Sequence, residues 1–228
     1  MLIAGREAGD PAGIEVLNPY DASAIDSVPR ATAEDIELAL TRAVEGAAIA
    51  GRMTRAHRAS VLATASRLIA ERTAELAGTI AAESGKTLRE ARGEIARCVE
   101  TFRVASEEAR RLAGGGVPFD GAPTGADRFG FYLRVPVGIV VAVTPFNFPL
   151  NLAAHKVAPA IAAGNAVVLK PASATPLTAI ALGRILYEAG LPPDALSVIT
   201  GSGGEVGRAL VTDSRPRMVT FTGSADVG

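Results

Sequence analysis

Hydrophobic and polar positions divide the chain into two regions of different character. Helical periodicity runs from Ile36 to about Leu112, and between Ile95 and Ala109 the apolar side chains fall on one face of a helix. Beyond Pro136, short apolar runs alternate with helix-like stretches, which is the βαβ pattern of a parallel sheet. The apolar runs are residues 137–143, 166–169, 196–200 and 218–221. The helix-like stretches between them are residues 149–162, 176–189 and 205–211.

Local signals predict how the helical region begins and where it is interrupted. The first thirty residues are rich in Gly, Pro and Asp and predict irregular edge structure. Thr32, followed by acidic residues at 34 and 35, predicts a capped helix start. Glycines are the expected breaks or loose points in the helical region. They are Gly51, Gly78, Gly85 and Gly93.

The segment between the two regions has a composition of its own. Residues 114–127 are rich in Gly, Pro and Asp and predict a loop or hairpin. Residues 129–136 predict an extended, aromatic segment that could pair with something outside its own domain. We therefore divide the chain into a mostly helical part (1–113), an arm (114–136) and a βαβ part (137–228).

Composition narrows the class of protein. Among 228 residues the net charge is −1, so no basic excess favours a nucleic-acid partner. Hydrophobic residues make up 48% and charged residues 21%, which is typical of a soluble globular protein. A single cysteine excludes an internal disulfide framework, and no apolar run is long enough for a membrane span. We therefore expect a cytoplasmic protein without a membrane partner.

Candidate chemistry lies where the predicted strands end, because ligands of open α/β sheets bind beyond the carboxyl ends of strands. In the first such loop, Pro145 and Pro149 stiffen the backbone around Asn147. The Asn147 amide could face a developing negative charge, or it could simply cap the following helix. Lys170 ends the next strand, where its ammonium could bind phosphate or ribose oxygens or could reach water.

Two further strand ends carry candidates of the same kind. The Gly-rich stretch 201–207 follows a strand and precedes a helix, an arrangement that suits a pyrophosphate, although ordinary turns share its composition. Ser224 follows the last strand and could donate to a phosphate or could be a simple turn serine.

Other polar candidates have plainer interpretations. Cys98 lies on the apolar face of a helix, which predicts a buried structural thiol and not a nucleophile. His57 is expected at the surface, and His155 is expected to pack or to make a local hydrogen bond. Two isolated histidines and one cysteine predict no metal site. Residues 83–86 (ESGK) lack the upstream glycine of a phosphate-binding loop.

Taken together, the motifs PFNFP, LKPASATP, GSGGEVG and FTGSADVG, in this order, resemble the aldehyde dehydrogenase superfamily. The ESGK stretch and the NPYD start at Asn18 extend the resemblance over nearly the whole chain. It implies an α/β fold with a Rossmann-like open parallel sheet, preceded by a helical region and carrying a β oligomerisation arm. It also implies oxidation of an aldehyde to a carboxylic acid with NAD or NADP through a cysteine thiohemiacetal.

The resemblance assigns roles to individual residues. Asn147 matches the asparagine whose amide stabilises the oxyanion, Lys170 and Ser173 match positions near the adenosine ribose, and Ser224 matches a serine near the pyrophosphate. The remaining positions implied to line the cofactor pocket are Thr144, Pro145, Phe146, Gly201, Gly203, Gly207 and Phe221. The arm implies a homo-oligomer, a dimer or tetramer, for the intact protein.

Three departures from the family pattern change what we expect of the cofactor, the pocket and the activity. Ser173 stands where many NAD-preferring members carry Glu, so repulsion of a 2′-phosphate is removed and NADP is expected to be tolerated or preferred. Phe146 stands where tryptophan is common. The family's nucleophilic cysteine and general-base glutamate lie beyond the FTGS motif, and this chain ends four residues after it.

We therefore expect a fragment of a longer enzyme that lacks the catalytic domain and is inactive alone. The alternative is a non-catalytic module that binds a nucleotide or a partner chain through residues 129–136. The sequence does not identify the aldehyde.

Overall fold

A mostly parallel sheet with helices on both faces organises the fold, seen in a computed structural model that describes residues 1–10, 13–225 and 228. The strands are β1 (Leu2–Ile3), β2 (Arg6–Glu7), β3 (Ile14–Leu17), β4 (Ala24–Val28), β5 (Gly115–Val117), β6 (Gly130–Tyr132), β7 (Ile139–Val143), β8 (Ala166–Lys170), β9 (Leu196–Val198) and β10 (Met218–Phe221). The helices are α1 (Ala33–Arg52), α2 (Arg55–Glu71), α3 (Thr73–Ser84), α4 (Leu88–Arg111), α5 (Asn151–Ala162), α6 (Leu177–Glu188) and α7 (Arg208–Thr212).

The main sheet has its strands in the order β10-β7-β8-β9-β1-β2 within the described residues. Strands β10, β7, β8 and β9 run parallel, and β1 joins β9 in the antiparallel sense. The chain winds from β7 through β8 to β9 and then returns to the other side of β7 for β10. The two directions of winding part between β7 and β10, and such switch points open a crevice at the carboxyl ends of the strands.

Alternate side chains of the central strands enter two different cores, which explains their uninterrupted apolar sequences. In β7, Val140 and Ala142 pack in the larger core with α2, α4, α5 and α6, while Ile139 and Val141 pack in the smaller core with α1. The predicted open parallel sheet preceded by helices is confirmed. Helices α2 and α4 lie outside α5 and cover it as a further layer.

The predicted helix start at Thr32 is confirmed, because its side chain and that of Asp35 form a reciprocal capping box. Of the four glycines predicted to break the helical region, only Gly85 ends a helix, in the left-handed conformation. Gly51, Gly78 and Gly93 lie inside helices, so the alternative in which these three break the helical region is wrong. A glycine between good helix formers lowers helix stability without ending the helix when tertiary packing holds it.

The prediction of irregular structure before Thr32 is also wrong. β1 extends the main sheet, with Leu2 opposite Val198, and β3 pairs with β4 as a separate two-stranded ribbon. Strands of two to five residues carry too little periodicity to stand out from a Gly- and Pro-rich background.

The segment predicted as a loop or hairpin followed by an extended stretch forms a small antiparallel hairpin of β5 and β6, which confirms the hairpin alternative. The strand β6 is shorter than the extended stretch predicted over 129–136. Large apolar side chains of this hairpin face solvent, with Phe129 89% and Val135 76% exposed. The hairpin region therefore presents exposed apolar side chains.

Candidate functional site

The carboxyl ends of the four parallel strands meet at one edge of the sheet, and backbone hydrogen bonds tie the loops that follow them. The Thr144 amide donates to the Lys170 carbonyl at 3.2 Å, and the Thr222 amide donates to the Val143 carbonyl at 3.2 Å. The Ile199 amide donates to the carbonyl of residue 169 at 2.8 Å. Residues predicted at separate strand ends are therefore neighbours at a single edge.

Lys170 is buried at the end of β8, with only 3% of its surface exposed. Its Nζ donates to the Pro171 carbonyl at 3.0 Å, and burial lowers the pKa of this ammonium. The alternative in which its head reaches water is therefore wrong. An ammonium has three protons to donate, and the described residues supply one acceptor. The group is thus suited to an anionic or oxygen-rich ligand at this edge.

Ser173 and Gly201 lie against each other, since the Ser173 hydroxyl donates to the Gly201 carbonyl at 2.9 Å. This hydrogen bond uses the hydroxyl proton of Ser173, so the side chain can meet a ligand as a neutral acceptor. Gly201 adopts φ of +153°, and a Cβ there would lie 2.4 Å from Val206 Cγ2. Glycine is therefore required for the tight approach of this turn to the following helix.

The Gly-rich stretch after β9 forms a π-helical turn, Gly203–Gly207, that leads directly into α7. The Ser202 hydroxyl caps it by accepting from the Glu205 amide at 3.2 Å. Gly203 is exposed, while Gly207 packs against Lys170, whose Cδ lies 3.7 Å from the position of a Gly207 Cβ. The structure thus brings together Lys170, Ser173, Gly201 and Gly207, as the predicted cofactor site requires.

Asn147 lies in an exposed part of the loop between β7 and α5. The first amides of α5 donate elsewhere, because Glu94 Oε1 accepts from the Leu150 amide at 2.9 Å and from the Asn151 amide at 3.0 Å. The alternative in which Asn147 caps this helix is therefore wrong. Its side-chain amide stays available to a ligand. Phe146 beside it is 64% exposed.

Two cations hold the residue that follows Asn147. The Lys86 ammonium lies 3.8 Å from the centroid of the Phe148 ring, and Arg97 Cζ lies 4.9 Å from it. Lys86 also forms an ion pair with Glu94, whose side chain is fully buried. A cavity of about 350 Å³ opens here, lined by Lys86, Glu90, Gly93, Arg97 and Phe148.

A second buried carboxylate caps the neighbouring helix. Glu83 Oε2 accepts from the Leu177 amide at 2.8 Å, and Oε1 accepts from the Thr178 amide at 3.1 Å and from the Thr178 hydroxyl. Burial, together with the nearby charge of Glu94, raises the pKa of Glu83 to about 7 against the pull of these donors. Glu83 and Glu94 thus fix the starts of α6 and α5.

The loop after β10 meets α5 through a buried lysine. Lys156 Nζ donates to the Thr222 hydroxyl at 2.6 Å, and burial lowers the pKa of this ammonium. Phe221 is 37% exposed and Ser224 is exposed at the same edge. Residues 226 and 227 of the FTGSADVG motif lie outside the described residues.

Sequence reasoning missed Glu83, Glu94 and Lys156. A signal existed for Glu94, because it stands on the apolar stripe of its helix, three positions after Ala91 and four before Cys98. A charge at such a position is buried and needs partners. The ESGK stretch enters the sequence analysis as a rejected phosphate-binding loop and as part of the family resemblance, and neither interpretation predicts that Glu83 caps a helix.

Other candidates behave as their plainer interpretations predict, with one exception. Cys98 is fully buried, and burial raises the pKa of its thiol, so it is a structural residue. His57 is exposed, but His155 is exposed too and not packed. Among the described residues, no three His, Cys, Asp or Glu side chains cluster as metal ligands would. No helix in those residues has the length and apolar character to cross a membrane.

A cavity of about 610 Å³ lies between the N-terminal strands, α3 and α6. Its walls include Glu7, Asp26, Glu75 and Arg184. None of the residues predicted to bind a cofactor lines it. The cavity therefore does not bear on the candidate site.

Known proteins share this arrangement. Residues 6–228 match the aldehyde dehydrogenase family. The chain is 44% identical to 3-sulfolactaldehyde dehydrogenase of Priestia aryabhattai over 215 residues, which is 94% of this chain and 45% of that protein. The chain therefore spans about half the length of the relatives it matches.

Two solved structures superpose closely. Glyceraldehyde-3-phosphate dehydrogenase GapN from Methanocaldococcus jannaschii, complexed with NADP, has a TM-score of 0.89 at 36% identity, over 94% of this chain and 47% of that one. An NAD-dependent aldehyde dehydrogenase from Sinorhizobium meliloti has a TM-score of 0.93 at 36% identity, over 100% of this chain and 46% of that one. The four strand-end motifs, the sheet and these matches agree, and the chain belongs to the aldehyde dehydrogenase family.

Proposed function

We propose that this chain supplies the cofactor-binding part and the oxyanion donor of an NAD(P)-dependent aldehyde dehydrogenase, which oxidises an aldehyde to a carboxylic acid. The observation that carries the proposal is the common edge of the sheet. There Lys170, Ser173, Gly201 and Gly207 form one cluster, and the Asn147 loop follows the adjacent strand.

The cluster fits a nicotinamide dinucleotide. Lys170 is a buried ammonium with donors to spare, which suits ribose or phosphate oxygens. Ser173 is neutral, so it accepts a ribose hydroxyl without repelling a 2′-phosphate. One structural neighbour is complexed with NADP and another is NAD-dependent, which supports both cofactors. When bound, the oxidised cofactor accepts a hydride from the substrate carbon. The other positions proposed to contact it are Thr144, Pro145, Phe146, Gly203, Phe221 and Ser224.

Asn147 supplies the oxyanion donor in this proposal. Its amide is free of the α5 cap, because Glu94 takes that role. A side-chain amide aimed at the oxygen of the reacting carbon lowers the barrier most when it is held in place beforehand. Two features supply that rigidity. The φ angles of Pro145 and Pro149 are fixed, and the Lys86 ammonium lies over the Phe148 ring.

The attacking thiol must come from elsewhere than Cys98. That residue is the only cysteine among the 228 residues, and its thiol is fully buried with a raised pKa. Attack on an aldehyde needs an accessible thiolate. We therefore propose that this chain binds the cofactor and does not itself oxidise aldehydes.

The hairpin of β5 and β6 completes the proposal as an oligomerisation arm. Its exposed apolar side chains, Phe129, Phe131 and Leu133 among them, suit burial against another copy in a dimer or tetramer. The same surface is what the non-catalytic alternative would use. Analytical ultracentrifugation of the chain and of Phe131→Ser tests the arm. An unchanged sedimentation coefficient contradicts its role, and dissociation to monomer supports it.

Calorimetric titration of the chain with NADP+ and NAD+ tests the cofactor site. Lys170→Met is expected to weaken both affinities about tenfold or more, since it removes a charge-assisted hydrogen bond. Ser173→Glu is expected to weaken NADP+ binding more than NAD+ binding. Arg67→Met is the matched control, because it removes a positive charge from the exposed face of α2. Absence of binding to either cofactor, or unchanged affinity in Lys170→Met, contradicts the proposal.

A further inference from the structure

Glu94 is a fully buried carboxylate beside the candidate site, and its hydrogen bonds reach the start of α5 and the lysine over Phe148. Its side chain is 0% exposed. Oε1 accepts from the Leu150 and Asn151 amides, and Oε2 pairs with the Lys86 ammonium. The residue thus joins α4 to the first two residues after Pro149, across 56 positions of sequence.

Lys86, the ion-pair partner of Glu94, contacts the Asn147 loop through the Phe148 ring. Lys86 is 17% exposed, and its ammonium lies over the Phe148 ring at 3.8 Å, where the negative face of the ring attracts a cation. The Phe148 carbonyl accepts from the Leu152 amide at 3.0 Å, so this residue is also tied to the first turn of α5. Phe148 directly follows Asn147, and the orientation of one restricts the other.

We propose that Glu94 is a positioning residue, which orients the Asn147 amide through two routes: the amides at the start of α5 and the Lys86 ammonium over Phe148. The inference rests on the proposed role of Asn147. Glu94 touches neither substrate nor cofactor in this assignment. It sets the backbone on the carboxyl side of Asn147, while Pro145 restrains the other side.

A simple structural cap does not account for the arrangement. Glu83 does for α6 what Glu94 does for α5, with two backbone amides on one carboxylate. Only Glu94 carries an additional cation, and that cation reaches the ring beside Asn147. Glu83 therefore provides a matched control, a buried capping carboxylate with no contact to the Asn147 loop among its hydrogen bonds.

Nuclear magnetic resonance of the 228-residue chain distinguishes a positioning role from a purely structural one, because it reports on the Lys86 and Asn147 side chains directly. The Lys86 ammonium lies over an aromatic ring, so the signals of the adjacent ε-methylene protons are expected upfield of those of an ordinary lysine. In Glu94→Gln these signals are expected to move to the ordinary position, and the side-chain amide signal of Asn147 is expected to shift. Glu83→Gln should leave both in place.

Hydrogen exchange and a second pair of variants complete the test. Glu94→Gln is expected to raise exchange at Leu150 and Asn151 about tenfold, because a hydrogen bond to a charged acceptor is weakened. Lys86→Met should shift the Asn147 amide signal, and Lys86→Arg should restore it, since the charge is kept. Lys86 is partly exposed, so this pair remains informative if Glu94→Gln fails to fold.

The outcomes separate this inference from the proposed function. If the side-chain amide signal of Asn147 is unshifted in both Glu94→Gln and Lys86→Met, the inference is overturned. Equal shifts in Glu83→Gln would also overturn it, because the effect would then be general loosening. Failure of the wild-type chain to bind NADP+ contradicts the proposed function alone, and the Lys86 signature can still be measured in that chain.

Discussion

Glu83 makes the stability of this protein depend on pH in a direction opposite to that of most carboxylates. Burial raises its pKa from 4.5 to about 7, so the folded chain holds a proton that the unfolded chain has already released. Between those two values, folding takes up a proton. The stability that this group contributes is complete below about pH 4.5 and is lost as the pH rises through about 7.

The size of the effect follows from the shift. A change from 4.5 to about 7 corresponds to about 3 kcal/mol across the whole window, because one pKa unit is worth about 1.4 kcal/mol. Glu83→Gln is permanently neutral and keeps one acceptor oxygen for the α6 amides. The free energy of unfolding of the wild type, relative to that of Glu83→Gln, is therefore expected to fall by about 3 kcal/mol with rising pH.

Urea unfolding at a series of pH values measures this difference. The chain has no tryptophan, so far-ultraviolet circular dichroism is the suitable probe. Titrating groups that do not interact with Glu83 are common to both proteins and cancel in the difference, and Glu94 is the group whose charge acts on Glu83. A difference that is flat with pH, or that rises between about pH 5 and about pH 8, would refute the reasoning and would mean that the donors around Glu83 outweigh its burial.

Three other outcomes are expected. Gly46→Ala should lower the free energy of unfolding by about 1–3 kcal/mol in urea titrations, since a Cβ there would lie 1.9 Å from the Asp194 carbonyl oxygen, and overpacking outweighs the gain of about 1 kcal/mol in helix propensity. Cys98 should react with a disulfide reagent only at the rate of unfolding, and rapid native-state labelling would show that its thiol is accessible. Gly201→Ala should weaken NADP+ binding in calorimetry, because its Cβ would lie 2.4 Å from Val206 Cγ2; wild-type affinity would show that the turn tolerates a side chain.

Local pattern predicted most of the sheet and the helices that flank it. Strands β7 and β8 are continuous apolar runs because both of their faces are buried, and this signal lies entirely within each strand. Strand β1 has two residues, and its partner β9 lies near the other end of the chain. A local sequence pattern cannot predict a pairing between strands that lie so far apart along the chain.

The site was predicted less completely, for the same physical reason. The cluster of Lys170, Ser173 and Gly201 follows from strand ends that the sequence marks clearly. The sequence does not show whether Asn147 caps α5. The carboxylate of Glu94, on the distant helix α4, competes for the first backbone amides of α5 and binds them. Competition between local and distant partners for the same amides is decided by tertiary packing, which a single loop sequence does not contain.

The antiparallel pairing of β1 with β9 has a consequence for the order in which the polypeptide folds during synthesis. The Ala4 amide bonds to the Ser197 hydroxyl, 193 positions away. Residues 2 and 3 are thus synthesised long before the strand with which they pair, and they stay unpaired while helices α1 to α6 emerge. Nascent chains arrested before Val198 should therefore keep Leu2 and Ile3 accessible to chaperones and proteases, and those arrested well beyond it should not.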